Sequence, residues 1–320
     1  MAAALFALLA PTMLVGQAAA ETIFVSDEQA NVLHVIDGAS LAVTGAIPVG
    51  GRPRGLALSP DGRRLYIAEG LDGRIDVLDL ATRRVVDHLP SGPDPERITV
   101  SADGTRIYVA NEDDAAVSFV DVAAHRIVGT VAVGAEPEGI AVSPDGGLVV
   151  ATSESASLAH FIDARSGRLL DSLIVGTRPR DAHFTPDGRQ VWVSSEQRGT
   201  VSIFDPLTRG RLHTIDLETA KGAPDIVQAV QIVMTRDGSR AFVAMGRGDA
   251  VAEIDAHTFE VVRFDRAGER DWNLALSPDE RRIYTANGIS GDASVIDLAS
   301  GATIATIKLG GRPWGAIAVP

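Results

Sequence analysis

The sequence predicts an all-β fold: a seven-bladed propeller with four antiparallel strands per blade, its ring closed by the C-terminal strand. Three observations predict it. A Ser-Pro-Asp-Gly turn at Ser59–Gly62 recurs, with variations, at Ser101, Ser143, Thr185, Thr235 and Ser277, at spacings of 42, 42, 42, 50 and 42. Between the turns lie short runs of Val, Ile, Leu and Thr bounded by Gly, Pro and Asp, with no apolar period of 3.6, so the elements are strands. Four such runs per unit, at a period in the low forties, is the arrangement of a propeller blade.

Within the first unit, Gly55–Leu58 reads as strand a, Arg64–Ala68 as b, Arg74–Leu78 as c and Arg84–Leu89 as d. Units begin near residues 51, 93, 135, 177, 227 and 269, which makes six complete sheets. The ends make a seventh. Thr22–Val49 aligns with strands b, c and d, whereas Gly311–Pro320 repeats a strand a and stops. Pairing the two removes the unpaired edges that invite aggregation. Residues 21–320 are therefore expected to form one domain, and a monomer is expected.

The single break in period falls within Asp216–Val227, where eight extra residues form a polar loop with Gly and Pro. It reads as a tolerated surface insertion or as a flap over one face.

Residues 1–20 form an apolar run ending in small residues, so a cleaved export signal is expected, with cleavage between Ala20 and Glu21. A membrane anchor is the competing reading, but Pro11, Gly16 and Gln17 leave too short a span. No later stretch is apolar enough for insertion. The formal charge of −13 disfavours a nucleic-acid binder, which needs clustered Lys and Arg. The absence of cysteine removes disulfides, thiolate metal sites and Cys nucleophiles.

Residues repeated in every unit serve every blade equally and read as scaffold. Asp37, Asp79, Asp121, Asp163, Asp205, Asp255 and Asp297 end strand c in all seven units and are expected to form Asx-type turns rather than a ring of metal ligands. Function is sought where the units differ. Chain direction places the d–a entries and b–c loops on one face and the regular turns on the other.

Five residues before each turn the sequence reads Arg54, Glu96, Glu138, Arg180, Val230, Trp272 and Trp314; seven before, Arg52, Asp94, Glu136, Arg178, Gln228, Arg270 and Arg312. Strand a is innermost in such a ring, so these residues should surround the channel mouth. An acidic sector, Asp94, Glu96, Glu136 and Glu138, is reinforced by Glu112, Asp113, Asp114 and Glu154. An Arg–Trp sector holds Arg52, Arg54, Arg270, Trp272, Arg312 and Trp314, with Arg178 and Arg180 from the fourth unit.

The Arg–Trp sector would hold a planar anion by stacking and forked hydrogen bonds. The acidic sector would dock a basic partner or bind a cation. The structural alternative is that the two sectors pair with one another and seal the mouth while the Trp rings pack. Of the seven histidines only His183 lies on a strand a, as a channel ligand, a proton relay or a satisfied buried side chain. No nucleophile elbow, phosphate loop or zinc spacing is present, so no catalytic residue and no resident metal or cofactor is assigned.

The repeat resembles that of the YVTN-type propellers, G-x-x-P-x-G-I-A-x-S-P-D-G-x-x-x-Y-V-A-N, most closely at Ile107–Asn111 and Ile283–Asn287. More narrowly it resembles the exported propellers associated with PQQ-dependent alcohol catabolism, through S-G-P-D-P-E-R (91–97), A-N-E-D-D (110–114), G-x-E-P-E-G (134–139), A-H-F-I-D (159–163) and R-P-W-G (312–315). The resemblance implies a periplasmic accessory protein with no established catalytic activity. Its partners would be a PQQ-dependent alcohol dehydrogenase or a cytochrome c, and PQQ, a planar tricarboxylate, would be a ligand. A metal-dependent lactonase is the enzyme-class rival, without a residue-by-residue match.

Overall fold

In blade 1 of the computed structural model, strand a is Pro53–Leu58, b is Arg64–Glu69, c is Arg74–Asp79 and d is Arg84–Pro90. Each runs one or two residues beyond its apolar stretch, because polar end residues still pair across the ladder, as Glu69 does opposite Arg74. The structure describes residues 21–320; the export signal expected over 1–20 lies outside them.

Seven four-stranded sheets form, each in the order a-b-c-d. The seventh is closed as the repeat count requires: Pro313–Val319 lies antiparallel to Thr22–Asp27, with Thr22 opposite Val319 and Phe24 opposite Ile317. Strand a of every blade contacts strand a of the next, which makes these the inner strands of the ring. No helix among the described residues is long and apolar enough to cross a membrane.

Strands b and c are buried on both faces, so they read as continuous apolar runs, while d alternates or faces water. The core is seven clusters, one between each pair of neighbouring blades. Leu33, Leu65, Ile67 and Val319 join blades 7 and 1; Tyr108, Phe119, Val149 and Ile162 join blades 2 and 3. Removing such side chains from water is the main stabilising term, about 25 cal/mol per Å² of apolar surface.

The repeated polar residues act on the backbone. In blade 1 the Ser59 hydroxyl donates to Asp61 at 2.6 Å and accepts from the Arg64 amide at 2.9 Å, while Gly62 takes φ +68°. Blade 6 makes the same turn with Glu280 in place of the glycine, at φ +55°. At the end of strand c, the amide three residues on donates to the Asp carboxylate in all seven blades, from Ser40 to Asp37 at 2.8 Å through Ser300 to Asp297 at 2.9 Å. These are the expected Asx turns.

The insertion shortens strand a of blade 5 to Ile232–Met234. It packs over the b–c loops of blades 4 and 5: a Cβ on Gly199 would meet Glu218 and Val227 at 2.9 Å, and one on Gly248 would meet the Ile226 carbonyl at 2.5 Å.

One irregularity positions the site. Strand a carries a bulge near its start, between Pro53 and Leu56, Pro95 and Ile98, Pro137 and Ile140, Pro179 and Asp181, and Asp271 and Asn273. A bulge breaks the strict alternation of side chains and re-aims them. Two successive residues per blade, four and five before the turn, thus serve the channel end instead of one.

Candidate functional site

The residues five before each turn do meet at the channel end, and most are removed from water. Glu96 is 0% exposed, Glu138 3%, Arg180 4% and Trp314 2%. Buried charge is tolerated only when paired, and here it is paired across the two sectors. Arg54 holds Glu96 at 2.5 Å and Glu28 at 3.1 Å. Arg180 pairs with Glu154 and lies 3.0 Å from Glu138. Arg52 pairs with Asp94 and lies 3.4 Å from Glu96, and Arg178 reaches Glu154 at 2.9 Å and Glu196 at 3.0 Å.

The network has more carboxylates than guanidiniums, and burial raises the pKa of two of them. Burial, with Glu138 adding to it, holds Glu96 well above the usual carboxylate range despite Arg54. Burial pushes Glu154 up to about 7 against the pull of Arg180. The residues seven before the turn take a left-handed backbone at Arg52, Asp94, Glu136, Arg178 and Arg270, φ +48° to +60°. Glu136 does not join the buried network; it accepts from the Ser155 hydroxyl at 2.5 Å. Asp94, Glu96 and Glu112 bring carboxylate oxygens within 4.8 Å of one another, but Arg52 lies against two of the three.

The tryptophans differ from the expectation of an open stacking platform. Trp314 lies beneath the surface with Arg54 and Arg97 over its ring, at 5.4 and 5.2 Å from the centroid. Its faces hold arginine because the neighbouring bulges deliver guanidiniums there, a cation–π arrangement. Trp272 remains partly exposed, with Arg270 at 4.0 Å and Arg180 at 4.9 Å from its centroid.

Of the sequence-predicted Arg–Trp set, the structure therefore keeps Arg270, Trp272 and Arg312 together at the surface. With Arg247 they line a cleft of about 540 Å³ that also touches Glu28, Gln29 and Ile289. Arg247, Arg270 and Arg312 form no ion pair among the described residues. Burial lowers Arg270 from its ordinary value, and Arg247, Arg180 and Arg178 add to that against Glu196. The Nε of Arg270 is buried without a hydrogen-bond partner. Guanidiniums outside any ion pair, one of them stacked on an indole, can accept a flat polyanion by forked hydrogen bonds and stacking.

His183 lies on the other side of the plug, in the channel. Sequence reading missed the layer above it, the residues four before each turn: Gly55, Arg97, Gly139, Asp181, Gln231, Asn273 and Gly315. Counting by twos from Glu96 and Arg180 assigns them to the far side of the strand; the bulge brings both neighbours to the channel end. Arg247 was missed because it sits in a b–c loop with no repeat partner of its kind.

Fold and face together define a seven-bladed β-propeller with a sealed channel end and one cationic surface cleft. The sequence profile of a family described as YNCE-like beta-propellers matches residues 61–147. No curated protein matches the chain. Among solved structures the chain is similar to Kuenenia stuttgartiensis hydrazine synthase, at 22% identity and TM-score 0.78, over 87% of this chain and 92% of that one. It is also similar to a Lactobacillus plantarum protein, at 17% identity and TM-score 0.80, over 94% and 99%. A dihydro-heme d1 dehydrogenase matches at 18% identity and TM-score 0.67, over 92% and 74%. At these identities the likeness concerns the fold.

Proposed function

We propose that this protein is an exported, non-catalytic accessory propeller of PQQ-dependent alcohol oxidation that binds a planar polycarboxylate, PQQ itself, in the Arg247–Arg270–Arg312–Trp272 cleft. The observation that carries the ligand reading is the contrast in pairing. Arg52, Arg54, Arg178 and Arg180 are each held by carboxylates, while the three arginines of the cleft form no ion pair among the described residues. The cleft volume falls within the usual range for small-molecule sites. The PQQ system and the periplasmic location follow from the sequence resemblance.

The test is PQQ titration followed by calorimetry and by Trp272 fluorescence; Trp192 and Trp314 are buried and should respond little. Hydrogen bonds to charged groups contribute about 1.5–3 kcal/mol. Arg312→Ala and Arg247→Ala should each weaken binding at least tenfold, which is ~1.4 kcal/mol, with the melting temperature unchanged. No saturable binding, or binding untouched by both variants, refutes the ligand assignment. The accessory role is tested separately, by pull-down from cells grown on an alcohol. A PQQ-dependent alcohol dehydrogenase or a cytochrome c is expected, and recovery of neither refutes it.

A further inference from the structure

The central channel is a second cavity, of about 300 Å³, beneath the sealed end. Its closed end is the layer of Arg97, Asp181, Gln231, Asn273 and Trp314, and its lining extends to Pro144 and Pro186 in the turns of blades 3 and 4. The cup therefore reaches the face opposite the arginine cleft.

Aliphatic side chains, Leu56, Ile98, Ile140, Ala141, Val233 and Ala316, contribute to its walls. Three polar side chains interrupt them, Thr99, His183 and Thr185, of which Thr99 and His183 occupy the same strand-a position in blades 2 and 4. The other residues at that position are Ala57, Ala141, Val233, Ala275 and Ile317.

Arg97 is the one cation of the lining. It is 9% exposed and only partly satisfied: Nη2 donates to Asn273 Oδ1 at 2.6 Å, Nη1 is 3.8 Å from Asp181, and Nε is buried without a partner. Asp181 spends its other oxygen on the Ile232 amide at 2.9 Å. Gln231 accepts from the Leu274 amide through Oε1, which leaves its amide nitrogen as a donor. At neutral pH His183 is uncharged, because burial, with Arg97 adding to it, pushes its pKa down to about 4. A neutral imidazole offers one donor and one acceptor.

We propose that this cup binds one short-chain monocarboxylate, entering from the turn face. Its carboxylate lies at Arg97 with the Gln231 amide and the Thr99 and His183 side chains within the same cup, and its alkyl chain lies along the aliphatic walls. One partly satisfied guanidinium suits one carboxylate. Asp181 beside it and the aliphatic walls disfavour a second negative charge, which separates this site from a polycarboxylate cleft. The volume, about 300 Å³, readily admits a ligand of a few carbons.

The experiment titrates the whole protein with acetate, propionate, butyrate and succinate, read by calorimetry. Saturable one-to-one binding that strengthens from acetate to butyrate, with succinate at least tenfold weaker, is expected. Arg97→Gln should weaken butyrate at least tenfold, and Ala141→Phe, which narrows the cup without changing charge, should weaken binding while the protein stays folded. Arg312→Ala should leave butyrate binding unchanged. Absence of saturable binding across the series, or full binding by Ala141→Phe, overturns the proposal. So does loss of butyrate binding in Arg312→Ala, which would place the ion in the surface cleft. Should Arg97→Gln fail to fold, Ala141→Phe decides by the same two outcomes.

Discussion

Glu69 ends strand b of blade 1, is 0% exposed, and neither of its oxygens has a hydrogen-bond partner. Its neighbour on strand c is Asp76. Blades 2, 3 and 7 fill this pair of positions with partners that satisfy one another: Asn111 donates to Ser118 at 2.8 Å, Ser153 lies 3.0 Å from His160, and Asp27 lies 3.1 Å from His34. Blade 1 has two carboxyl groups there. Asp76 takes the available donors, Arg74 at 2.8 Å, His88 at 2.7 Å and the Gly50 amide at 3.1 Å. Glu69 is left to hold a proton. Burial, then Asp76 and Asp72, push its pKa up to about 9 from 4.5.

A folded-state pKa raised above the unfolded one contributes stability that is fully present below about 4.5 and is lost as pH rises toward about 9. Each pH unit inside that window costs about 1.4 kcal/mol, so roughly 3 kcal/mol should disappear between pH 5 and pH 7. Glu69→Gln keeps the shape and removes the titration. Urea unfolding at pH 5, 6, 7 and 8 should therefore show the variant gaining on wild type as pH rises. Two parallel stability–pH curves would show Glu69 to be ionised in the folded protein, and the reasoning would fail.

Two further outcomes follow from the same structure. Arg180→Met leaves Glu138 and Glu154 buried without their main partner and should cost about 3–5 kcal/mol, read from the denaturant midpoint; a change below 1 kcal/mol would mean that the buried pairs carry no net cost on breaking. Deleting residues 313–320 strips strand a from the closing sheet and exposes the edge of Thr22–Asp27, so soluble monomer should give way to aggregates on size exclusion; a monomeric, cooperatively unfolding product would contradict closure by that strand.

The fold was legible because it is written many times. The Ser-Pro-Asp-Gly turns, the aspartates closing strand c and the 42-residue spacing each repeat a local requirement that backbone geometry imposes, and repetition separates signal from chance. The candidate site was legible in part. Aligning the units found Arg270, Trp272 and Arg312, and also the opposite charges that the structure pairs as Arg54 with Glu96 and Arg180 with Glu138. It did not find Arg97 and Asp181, because a bulge in strand a aims two successive residues at one channel end and a period-two reading admits one.

By itself, then, the sequence determined the number of blades, the closure of the ring and the ring of residues around the channel, since these depend on local turns and on counting. Tertiary structure alone decided which arginines remain available. Arg52, Arg54, Arg178 and Arg180 look like Arg270 and Arg312 in the repeat, yet among the described residues the first four meet carboxylates from adjoining blades and the last two do not. Whether a guanidinium is neutralised depends on a neighbour dozens of residues away in the chain, at a distance of about 3 Å where electrostatic attraction is strongest.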